Sequence, residues 1–181
     1  MTSSIQIFSR YSDECKILIE TGCWLGDGVD RAFQSGFEKV YTCDIHAEHI
    51  FNIKERFSDK NLIAEVEESQ NFIEKSLSEI NEKVVIFLDA HFMPIQEHRP
   101  DLGFGEISVK DGIDPCPLMK ELEIIKKHHI KDHIILIDDF QCLNTWMFNY
   151  LQFDDVLDYI KTINPNYKYQ LIENVLCFSV K

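Results

Sequence analysis

Two patterns of apolar and polar residues alternate along the chain. Some segments repeat apolar residues every three or four positions, as at Ile50, Ile53 and Phe57, which places these side chains on one face of a helix. Others are short runs, and residues 84–88 have the continuous apolar character of a strand that is buried on both faces. Five strand candidates precede residue 140, at 17–19, 40–43, 62–66, 84–88 and 134–137. The pattern predicts strands that alternate with helices.

Helices are predicted at about 27–35, 47–57, 68–80, 117–125 and 146–160. Gly36 is typical of a residue that follows a helix end, and Pro117 is typical of a first helical turn. The region 146–160 is expected to be broken near Asp154. Each predicted helix therefore fits between two strand candidates or between the last strand candidate and the C-terminal part of the chain.

The chain closes with a predicted β-hairpin. Its strands, 167–172 and 175–180, are separated by Glu173 and Asn174, without the glycine that is usual in a two-residue turn. Together with the alternation, the hairpin predicts an α/β fold: a Rossmann-like, doubly wound, mostly parallel seven-stranded sheet with a C-terminal antiparallel hairpin. A single domain is expected to span residues 1–181.

Two segments lie outside the alternation. Residues 1–15 are expected to form a short, irregular N-terminal arm. Residues 91–115 are rich in proline, glycine, histidine and acids. A stretch of this length inside a compact domain is usually functional, because ordering it costs conformational entropy. It is predicted to be an active-site loop insertion.

The composition indicates which kinds of molecule the protein can bind and in which compartment it functions. The formal net charge is -13, with 31 acidic residues against 18 lysines and arginines, and such a surface repels nucleic acid. The six cysteines show no metal-finger spacing and suit a reduced protein. Because no signal segment or membrane span is evident, a cytoplasmic enzyme or binding protein without a membrane partner is expected. The sequence leaves the oligomeric state open.

A glycine loop follows the first strand candidate, in the order Glu20-x-Gly22-x-x-x-Gly26-x-Gly28. In parallel sheets, ligands bind outside the carboxyl ends of the strands. The spacing differs from Gly-x-Gly-x-x-Gly and makes a poor pyrophosphate cradle. It suits a ligand with an ammonium group for Glu20 and a ribose whose two hydroxyls bind Asp44, at the end of the second strand. The alternative is a generic turn that needs glycine only for its backbone.

Acids also end the later strand candidates. Asp89 follows the fourth strand, and Asp138 and Asp139 follow the fifth, so these side chains are expected to share one edge of the sheet with Glu20 and Asp44. Clustered carboxylates raise one another's pKa unless a cation neutralises them. Oxygen ligands of this kind are preferred by Mg²⁺. The alternative is that the acids are solvated strand ends.

These motifs, with the run Glu68-Ser69-Gln70 and the strand ending Asp89-Ala90-His91, resemble class I S-adenosylmethionine-dependent methyltransferases over residues 16 to about 140. The metal-dependent catechol-type and macrocin-type O-methyltransferases are the most similar. The resemblance implies an antiparallel strand inserted near the sheet edge and S-adenosyl-L-methionine as cofactor. It implies a cofactor site of Glu20, Gly22 and Gly26 for the methionine end, Asp44 for the ribose, Ser69 and Gln70 for the adenine, and Ile45 and Asp89 beside them. It also implies that Asp89, Asp138 and Asp139 hold Mg²⁺ or another divalent cation.

Trp24, inside the glycine loop, is a further candidate for contact with the cofactor, with packing as the alternative. Catechol-type enzymes carry a lysine base three residues after the first metal-binding Asp, where this chain has Phe92. The candidate catalytic residues are therefore His91, as the base, and Asp89. His91 could instead be a metal ligand or a structural residue.

Other parts of the loop insertion offer further candidates. His98 and Glu106 are alternatives to His91 as the base, and Phe92, Met93 and Phe104 are expected to line the acceptor pocket. The remaining histidines are expected to be solvated, namely His46, His49, His128, His129 and His133.

The predicted function is methyl transfer from S-adenosylmethionine to a hydroxyl of a small molecule, assisted by a metal. One alternative is a metal-dependent hydrolase that uses the same acids and His91. The other is a protein that binds the cofactor without catalysis.

Overall fold

Seven strands form one sheet in the order β3-β2-β1-β4-β5-β7-β6. The structure is a computed structural model that describes residues 5–91, 114 and 116–180. The strands are β1 (Ile17–Thr21), β2 (Lys39–Asp44), β3 (Leu62–Val66), β4 (Val85–Leu88), β5 (Ile134–Ile137), β6 (Tyr167–Ile172) and β7 (Val175–Val180). The first five are parallel, whereas β7 is antiparallel to both β5 and β6. The predicted fold class is therefore confirmed, including the antiparallel strand inserted beside the edge.

Helices cover both faces of the sheet. They are α1 (Ile5–Ser9), α2 (Asp27–Gln34), α3 (Ala47–Arg56), α4 (Ser69–Ser78), α5 (Leu118–Lys127) and α6 (Phe153–Ile163). Successive strand residues point to opposite faces. Ile19 of β1 accordingly joins a core with α4, α5 and α6, and Leu18 joins a second core with α1, α2 and α3. Each face of the sheet thus has its own layer of helices.

The order of the strands places a crevice between β1 and β4. From β1 the chain winds outward through β2 and β3 on one side, and it then crosses to β4 and β5 on the other. The loops that follow β1 and β4 therefore leave the sheet in opposite directions, which opens a ligand-binding crevice at the carboxyl ends of these strands. Gly22 and Asp89 are the first residues after these two strands.

The N-terminal arm differs from the prediction. Residues Ile5–Ser9 form a helix, and Ile7 and Phe8 are fully buried. The ring of Phe8 makes edge-to-face contacts with Phe37 and Phe87, with centroid distances of 6.1 and 5.3 Å. The prediction of an irregular arm is wrong for this segment, because its apolar residues cover the sheet face that carries Phe87.

The predicted helical region 146–160 is also broken earlier than expected. A short 3-10 turn at Trp146–Phe148 is followed by α6, which begins at Phe153. Asn149 and Tyr150, between them, both have positive φ angles, of 52° and 57°. A helix cannot continue through two residues in that conformation.

The β-hairpin turn contains no glycine, as expected, and Glu173 adopts a positive φ of 55°. Asn174 holds the turn against the segment that follows β5, since its Oδ1 accepts a hydrogen bond from the Gln141 N–H at 3.1 Å. Its carbonyl oxygen accepts a second one from the Phe140 N–H at 2.9 Å. The C-terminal hairpin therefore packs at the same edge of the sheet as Asp138 and Asp139.

Most of the predicted loop insertion 91–115 lies outside the described residues. The predictions made for Phe92, Met93, His98, Phe104 and Glu106 fall on that part of the chain. None of the described helices is long and apolar enough to cross a membrane.

His133, predicted to be solvated, is fully buried before β5. Its Nδ1 accepts a hydrogen bond from the Val84 N–H at 3.2 Å. The proton of the neutral ring is therefore on Nε2, which lies 2.8 Å from Nδ1 of His128 and donates to it. Burial, together with the nearby histidines and lysines, lowers the pKa of His133 to about 3. The prediction of a solvated side chain is wrong here, because the residue completes the backbone hydrogen bonding of Val84.

We expect His133 to make the fold sensitive to acid. Its folded pKa of about 3 lies below the value of roughly 6.5 for an unfolded histidine. The free energy of unfolding is therefore not reduced by His133 above about pH 6.5. It falls as the pH decreases toward 3, because the unfolded chain then binds a proton at this histidine more readily than the folded protein does. Between pH 6 and 4.5 the loss is about 2 kcal/mol. His133→Asn keeps an acceptor for Val84 and cannot be charged, so its free energy of unfolding in urea should fall less steeply over this range. Exposed His129→Asn is the control, and equal slopes for His133→Asn and the wild type would contradict the assignment.

Candidate cofactor and metal site

Gly22 brings the loop after β1 against the end of β4. Its φ is 78°, and an added Cβ would lie 2.7 Å from the carbonyl oxygen of Asp89. Its N–H also donates to the carbonyl of Cys43 on β2, at 3.0 Å. Glycine is required here for both its conformation and its lack of a side chain. Residues from three strand ends are thereby held within one small region.

Glu20 lies beneath the start of α2 and is only 1% exposed. Its Oε2 accepts a hydrogen bond from the Thr42 hydroxyl at 2.8 Å. Burial raises the pKa of Glu20 to about 8, against the lowering effect of this hydrogen bond. A Cβ added to Gly28 would lie 1.7 Å from Glu20 Oε1. Gly28 thus makes room for the carboxyl, a role that the glycine spacing alone did not reveal.

Asp44 is held by several donors at the end of β2. Oδ1 accepts the His46 N–H at 2.8 Å, and Oδ2 accepts the Trp24 N–H at 3.0 Å. His49 Nδ1 lies 3.0 Å from Oδ2. Burial opposes ionisation of Asp44, but the bonds from these three residues outweigh it and lower its pKa. A carboxylate with a lowered pKa is charged at neutral pH and suits the hydroxyls of a ribose.

The contact between Asp44 and His49 corrects the prediction that His49 is solvated. Its side chain is only 11% exposed. The signal was available in the sequence, because His49 lies in the first turn of α3, close behind the strand-end acid. Since the imidazole is bonded to the oxygen that also accepts the Trp24 N–H, it fixes the orientation of the Asp44 carboxylate.

Apolar side chains border Asp44 on the solvent side. Trp24, Ile45 and Val66 are 36%, 36% and 51% exposed, and Val66 is paired with Asp44 in the register of β2 and β3. Trp24 is therefore only partly covered, and both of its predicted roles, contact with the cofactor and packing, stay predictions. Exposed apolar groups beside an anchoring carboxylate form a surface on which the base or ribose of a nucleoside can lie.

Ser69 and Gln70 begin α4, directly after β3. Ser69 is buried, and its hydroxyl has no hydrogen-bond partner among the described residues. Gln70 is half-buried, and its side-chain amide donates to the Glu68 carboxylate. The loop before them is tied to β2 by a hydrogen bond from the Glu67 N–H to the Asp44 carbonyl, at 3.2 Å. The residues predicted to bind adenine are thus linked by a backbone hydrogen bond to the residue predicted to bind the ribose.

Asp89, His91 and Asp139 form a compact group at the ends of β4 and β5. One potential ligand atom from each lies within 4.8 Å of the other two. His91 Nε2 is 2.9 Å from Asp139 Oδ2 and 3.7 Å from Asp89 Oδ1. Asp139 has a φ of 50°, and its Oδ1 accepts a hydrogen bond from Asn174 at 2.8 Å. The hairpin turn thus orients one of the carboxylates in the group.

Asp138 stands beside this group and is not one of its three members. Its Oδ1 accepts the Asp139 N–H at 2.8 Å. Its Oδ2 is buried and has no hydrogen-bond partner among the described residues. The role of Asp138 as a metal ligand stays a prediction, and the predicted alternative of His91 as a ligand agrees with its position beside Asp89 and Asp139.

Several carboxyl groups are crowded together at this end of the site. Burial raises the pKa of Asp89 well above its usual range, and the carboxylates of Asp138, Glu20 and Asp139 raise it further. Burial likewise raises the pKa of Asp138 to about 6. Burial also opposes the charge of Asp139, but His91 outweighs it and lowers the pKa of that carboxyl. Carboxylates, an imidazole and an unpartnered buried oxygen fit a divalent cation, and the nitrogen ligand also admits ions such as Mn²⁺ or Zn²⁺.

Sequence reasoning assigned no role to a further acid, Glu121. It lies in the first turn of α5 and is 1% exposed. Burial raises its pKa to about 7, although the hydroxyls of Ser69 and Thr21 lie close enough to lower it. The helical pattern contained the signal, because Glu121 is three residues from Leu118 and four from Ile125, both on the buried face of the helix.

No protein-family model matches the chain, and no curated protein matches it significantly. Solved structures of methyltransferases do match. A Clostridium thermocellum protein assigned as an rRNA methylase is 15% identical with a TM-score of 0.63, over 99% of this chain and 98% of that one. The SAH-bound methyltransferase PaMTH1 of Podospora anserina is 14% identical with a TM-score of 0.59, over 100% and 80%. A Staphylococcus aureus protein assigned as a caffeoyl-CoA O-methyltransferase is 13% identical with a TM-score of 0.59, over 100% and 85%. The chain therefore has the Rossmann-like fold of the class I S-adenosylmethionine-dependent methyltransferases.

Proposed function

We propose that the protein is a methyltransferase that uses S-adenosyl-L-methionine to methylate a hydroxyl of a small molecule, with help from a divalent cation. The observation that carries the proposal is the convergence of Glu20, Asp44 and Asp89 at one crevice of a methyltransferase-type sheet. Gly22 lets the loop after β1 lie directly against the end of β4. A cleft of this kind offers a separate anchor for each end of the cofactor.

Each anchor follows from the chemistry of the side chain. Ionised Glu20 can bind the ammonium of the methionine end, and Asp44 can accept hydrogen bonds from the two ribose hydroxyls. The exposed faces of Trp24 and Ile45 exclude water beside the ribose. Ser69 begins the helix at the adenine end. These residues bind and orient the cofactor, which accounts for the predicted cofactor site as a set.

The candidate metal group would act at the other end of the crevice. Asp89, His91 and Asp139, with Asp138 behind them, are the residues that would hold the cation. When bound, S-adenosylmethionine supplies an electrophilic methyl group and a divalent cation lowers the pKa of a hydroxyl beside it. If the carboxylates alone hold the cation, the His91 imidazole can instead act as the base that accepts the proton that the hydroxyl loses. Holding the reacting groups in line can contribute about 7 to 11 kcal/mol toward the barrier.

A small acceptor is favoured over nucleic acid by the net charge of -13, although the similar structures include two assigned as rRNA methylases. A reduced, cytoplasmic setting is part of the proposal, and all six cysteines are free and buried. Free thiols in such a number suit a compartment in which disulfides do not form.

The first test is binding of S-adenosylhomocysteine to the wild-type protein by isothermal titration calorimetry, at neutral pH and with added Mg²⁺ or Mn²⁺. Stoichiometric binding at micromolar concentrations supports the proposal, and methyl transfer to a panel of hydroxylated small molecules is then assayed by mass spectrometry. Binding without transfer to any member of the panel would favour the alternative of a non-catalytic cofactor-binding protein.

The affinity for S-adenosylhomocysteine should rise with pH. Glu20 has a pKa of about 8 in the free protein, so at pH 6.5 it must lose a proton before it can pair with the ligand's ammonium. Affinity is then expected to increase by about tenfold for each pH unit below 8. Calorimetry at several values between pH 6.5 and 8 measures this slope. In Glu20→Gln the slope should be absent, and a wild-type affinity that does not depend on pH would contradict the role of Glu20.

Removal of the Asp138 carboxylate should weaken metal binding without changing the affinity for the cofactor. Asp138→Ala is expected to weaken binding of Mn²⁺ by about 10- to 100-fold, because it deletes the carboxylate that receives the Asp139 N–H. Binding of S-adenosylhomocysteine should persist. The exposed Asp158→Ala in α6 is the control. Unchanged metal affinity in Asp138→Ala, or full activity of the wild type in a chelator, would count against the metal site.

A second candidate function is a metal-dependent hydrolase, which is favoured by the presence of His91 between two carboxylates. An imidazole and carboxylates around a divalent cation can also activate water. Tight binding of Mn²⁺ or Zn²⁺ together with no detectable binding of S-adenosylhomocysteine would favour this function over methyl transfer.

A further inference from the structure

Glu121 is an acid in an apolar setting. It belongs to the face of α5 that carries Leu118, Leu122 and Ile125, which are almost completely buried against α4 and the sheet. No described lysine or arginine forms an ion pair with Glu121, and its Oε1 is buried without a hydrogen-bond partner among the described residues. An unpaired carboxyl is costly in such a place, so its presence calls for a functional reason.

The hydroxyl of Ser69, like the Glu121 carboxyl, is a buried polar group without a clear partner. Its hydroxyl is buried and makes no hydrogen bond of good geometry with a described residue, although it lies close enough to Glu121 to affect the carboxyl's charge. Ser69 is the first residue of α4, and the preceding loop is bonded to the Asp44 carbonyl through the Glu67 N–H. The start of α4 is therefore linked through the backbone to Asp44, the proposed ribose anchor.

We propose that Glu121 is a positioning residue for the recognition of adenine: its carboxylate accepts a hydrogen bond from the Ser69 hydroxyl, which leaves the Ser69 oxygen as an acceptor for the exocyclic amine of the base. The inference rests on the proposed function, since it assigns a specificity to the same cofactor site. A serine hydroxyl has one proton to donate and two positions that accept. When the hydroxyl donates its hydrogen bond to Glu121, Ser69 can only accept from the ligand.

This arrangement distinguishes a 6-aminopurine from a 6-oxopurine. The amine of adenine donates to Ser69, whereas the carbonyl oxygen of hypoxanthine would face another acceptor and leave both without a proton between them. Sites built to bond a particular polar group reject analogues that lack it. Glu121 itself is almost fully enclosed, so its effect on the ligand passes through Ser69.

The test compares binding of S-adenosylhomocysteine and S-inosylhomocysteine by calorimetry. The wild type is expected to prefer the adenosyl compound by about tenfold or more. In Glu121→Leu the hydroxyl of Ser69 is free to donate or to accept, so the ratio of the two affinities should fall to within about threefold. Ser69→Ala should lower the ratio similarly, and the double variant should lower it no further, because the two residues act as one unit. Ile125→Val, on the same buried face, should leave the ratio unchanged.

Stability provides an independent measurement. If Glu121 is retained for recognition, Glu121→Leu should leave the melting temperature of the ligand-free protein unchanged or raise it. A purely structural carboxyl predicts a lower melting temperature and equal losses of affinity for both ligands. Absence of any S-adenosylhomocysteine binding by the wild type would overturn the proposed function itself. Binding with a ratio that neither Glu121→Leu nor Ser69→Ala alters would overturn only the inference about Glu121.

Discussion

Replacement of Asp44 by alanine is expected to weaken binding of S-adenosylhomocysteine by about 10²- to 10⁴-fold. Two ribose hydroxyls would each lose a hydrogen bond to a carboxylate, and a hydrogen bond to a charged group contributes roughly 1.5 to 3 kcal/mol. The loss should be seen by calorimetry at neutral pH, where the lowered pKa of Asp44 keeps its carboxyl ionised.

The matched controls separate this effect from a general loss of charge. Asp59→Ala removes an exposed acid after α3 and should leave the affinity unchanged. Asp44→Asn keeps the shape of the side chain and one carbonyl oxygen, so its loss should be intermediate. Because Asp44 also accepts the N–H groups of Trp24 and His46, circular dichroism must show that each variant is folded. Wild-type affinity in a folded Asp44→Ala protein would remove the ribose assignment.

Gly28→Ala should displace the carboxyl of Glu20, the proposed binding group for the ligand's ammonium. The new Cβ would lie 1.7 Å from Glu20 Oε1, a distance at which the carboxyl must move. Since Glu20 is enclosed and held by the Thr42 hydroxyl, we expect a loss of roughly 1 to 3 kcal/mol in the free energy of unfolding. We also expect binding of S-adenosylhomocysteine to be undetectable at concentrations that saturate the wild type. Urea unfolding and calorimetry measure the two effects.

Two further variants identify the cause. Gly36→Ala introduces a methyl group at a φ of 99° where the nearest atom is 3.7 Å away. It should cost stability through backbone strain while preserving cofactor affinity. In Gly28→Ala/Glu20→Ala the clash is absent, so much of the stability should return while binding stays weak. Full binding by Gly28→Ala, or no recovery of stability in the double variant, would show that Glu20 is not the side chain displaced.

The strand candidates were predictable because their apolar runs are local features. The predicted runs at 62–66 and 134–137 coincide with β3 and β5. The position of the acids at the shared edge follows from parallel pairing, so the convergence of Glu20 and Asp44 could also be anticipated. The helix at Ile5–Ser9 could not, because a segment of five residues has too little periodicity to indicate a helix, and packing against Phe87 stabilises it.

Partners of the site residues were harder to anticipate, since they depend on side chains that meet only in the folded protein. The bonds of His49 to Asp44 and of Asn174 to Asp139 join residues in different elements. Glu121 was not identified from the sequence, because the residues around it in α5 follow an apolar helical pattern. The group of Asp89, His91 and Asp139 differs from the three predicted acids for the same reason, because the distances between ligand atoms at the ends of β4 and β5 are set only by the fold.

The bond between Asn174 and Asp139 has a consequence for the order in which the crevice is completed. Gly22, Asp44 and Ser69 all belong to the first half of the chain. Asp139, by contrast, acquires its amide partner only after a hairpin 35 residues further on has been made and has paired with β5. The proposed metal group is therefore the last part of the crevice to reach its folded arrangement, because it depends on the final element of the chain.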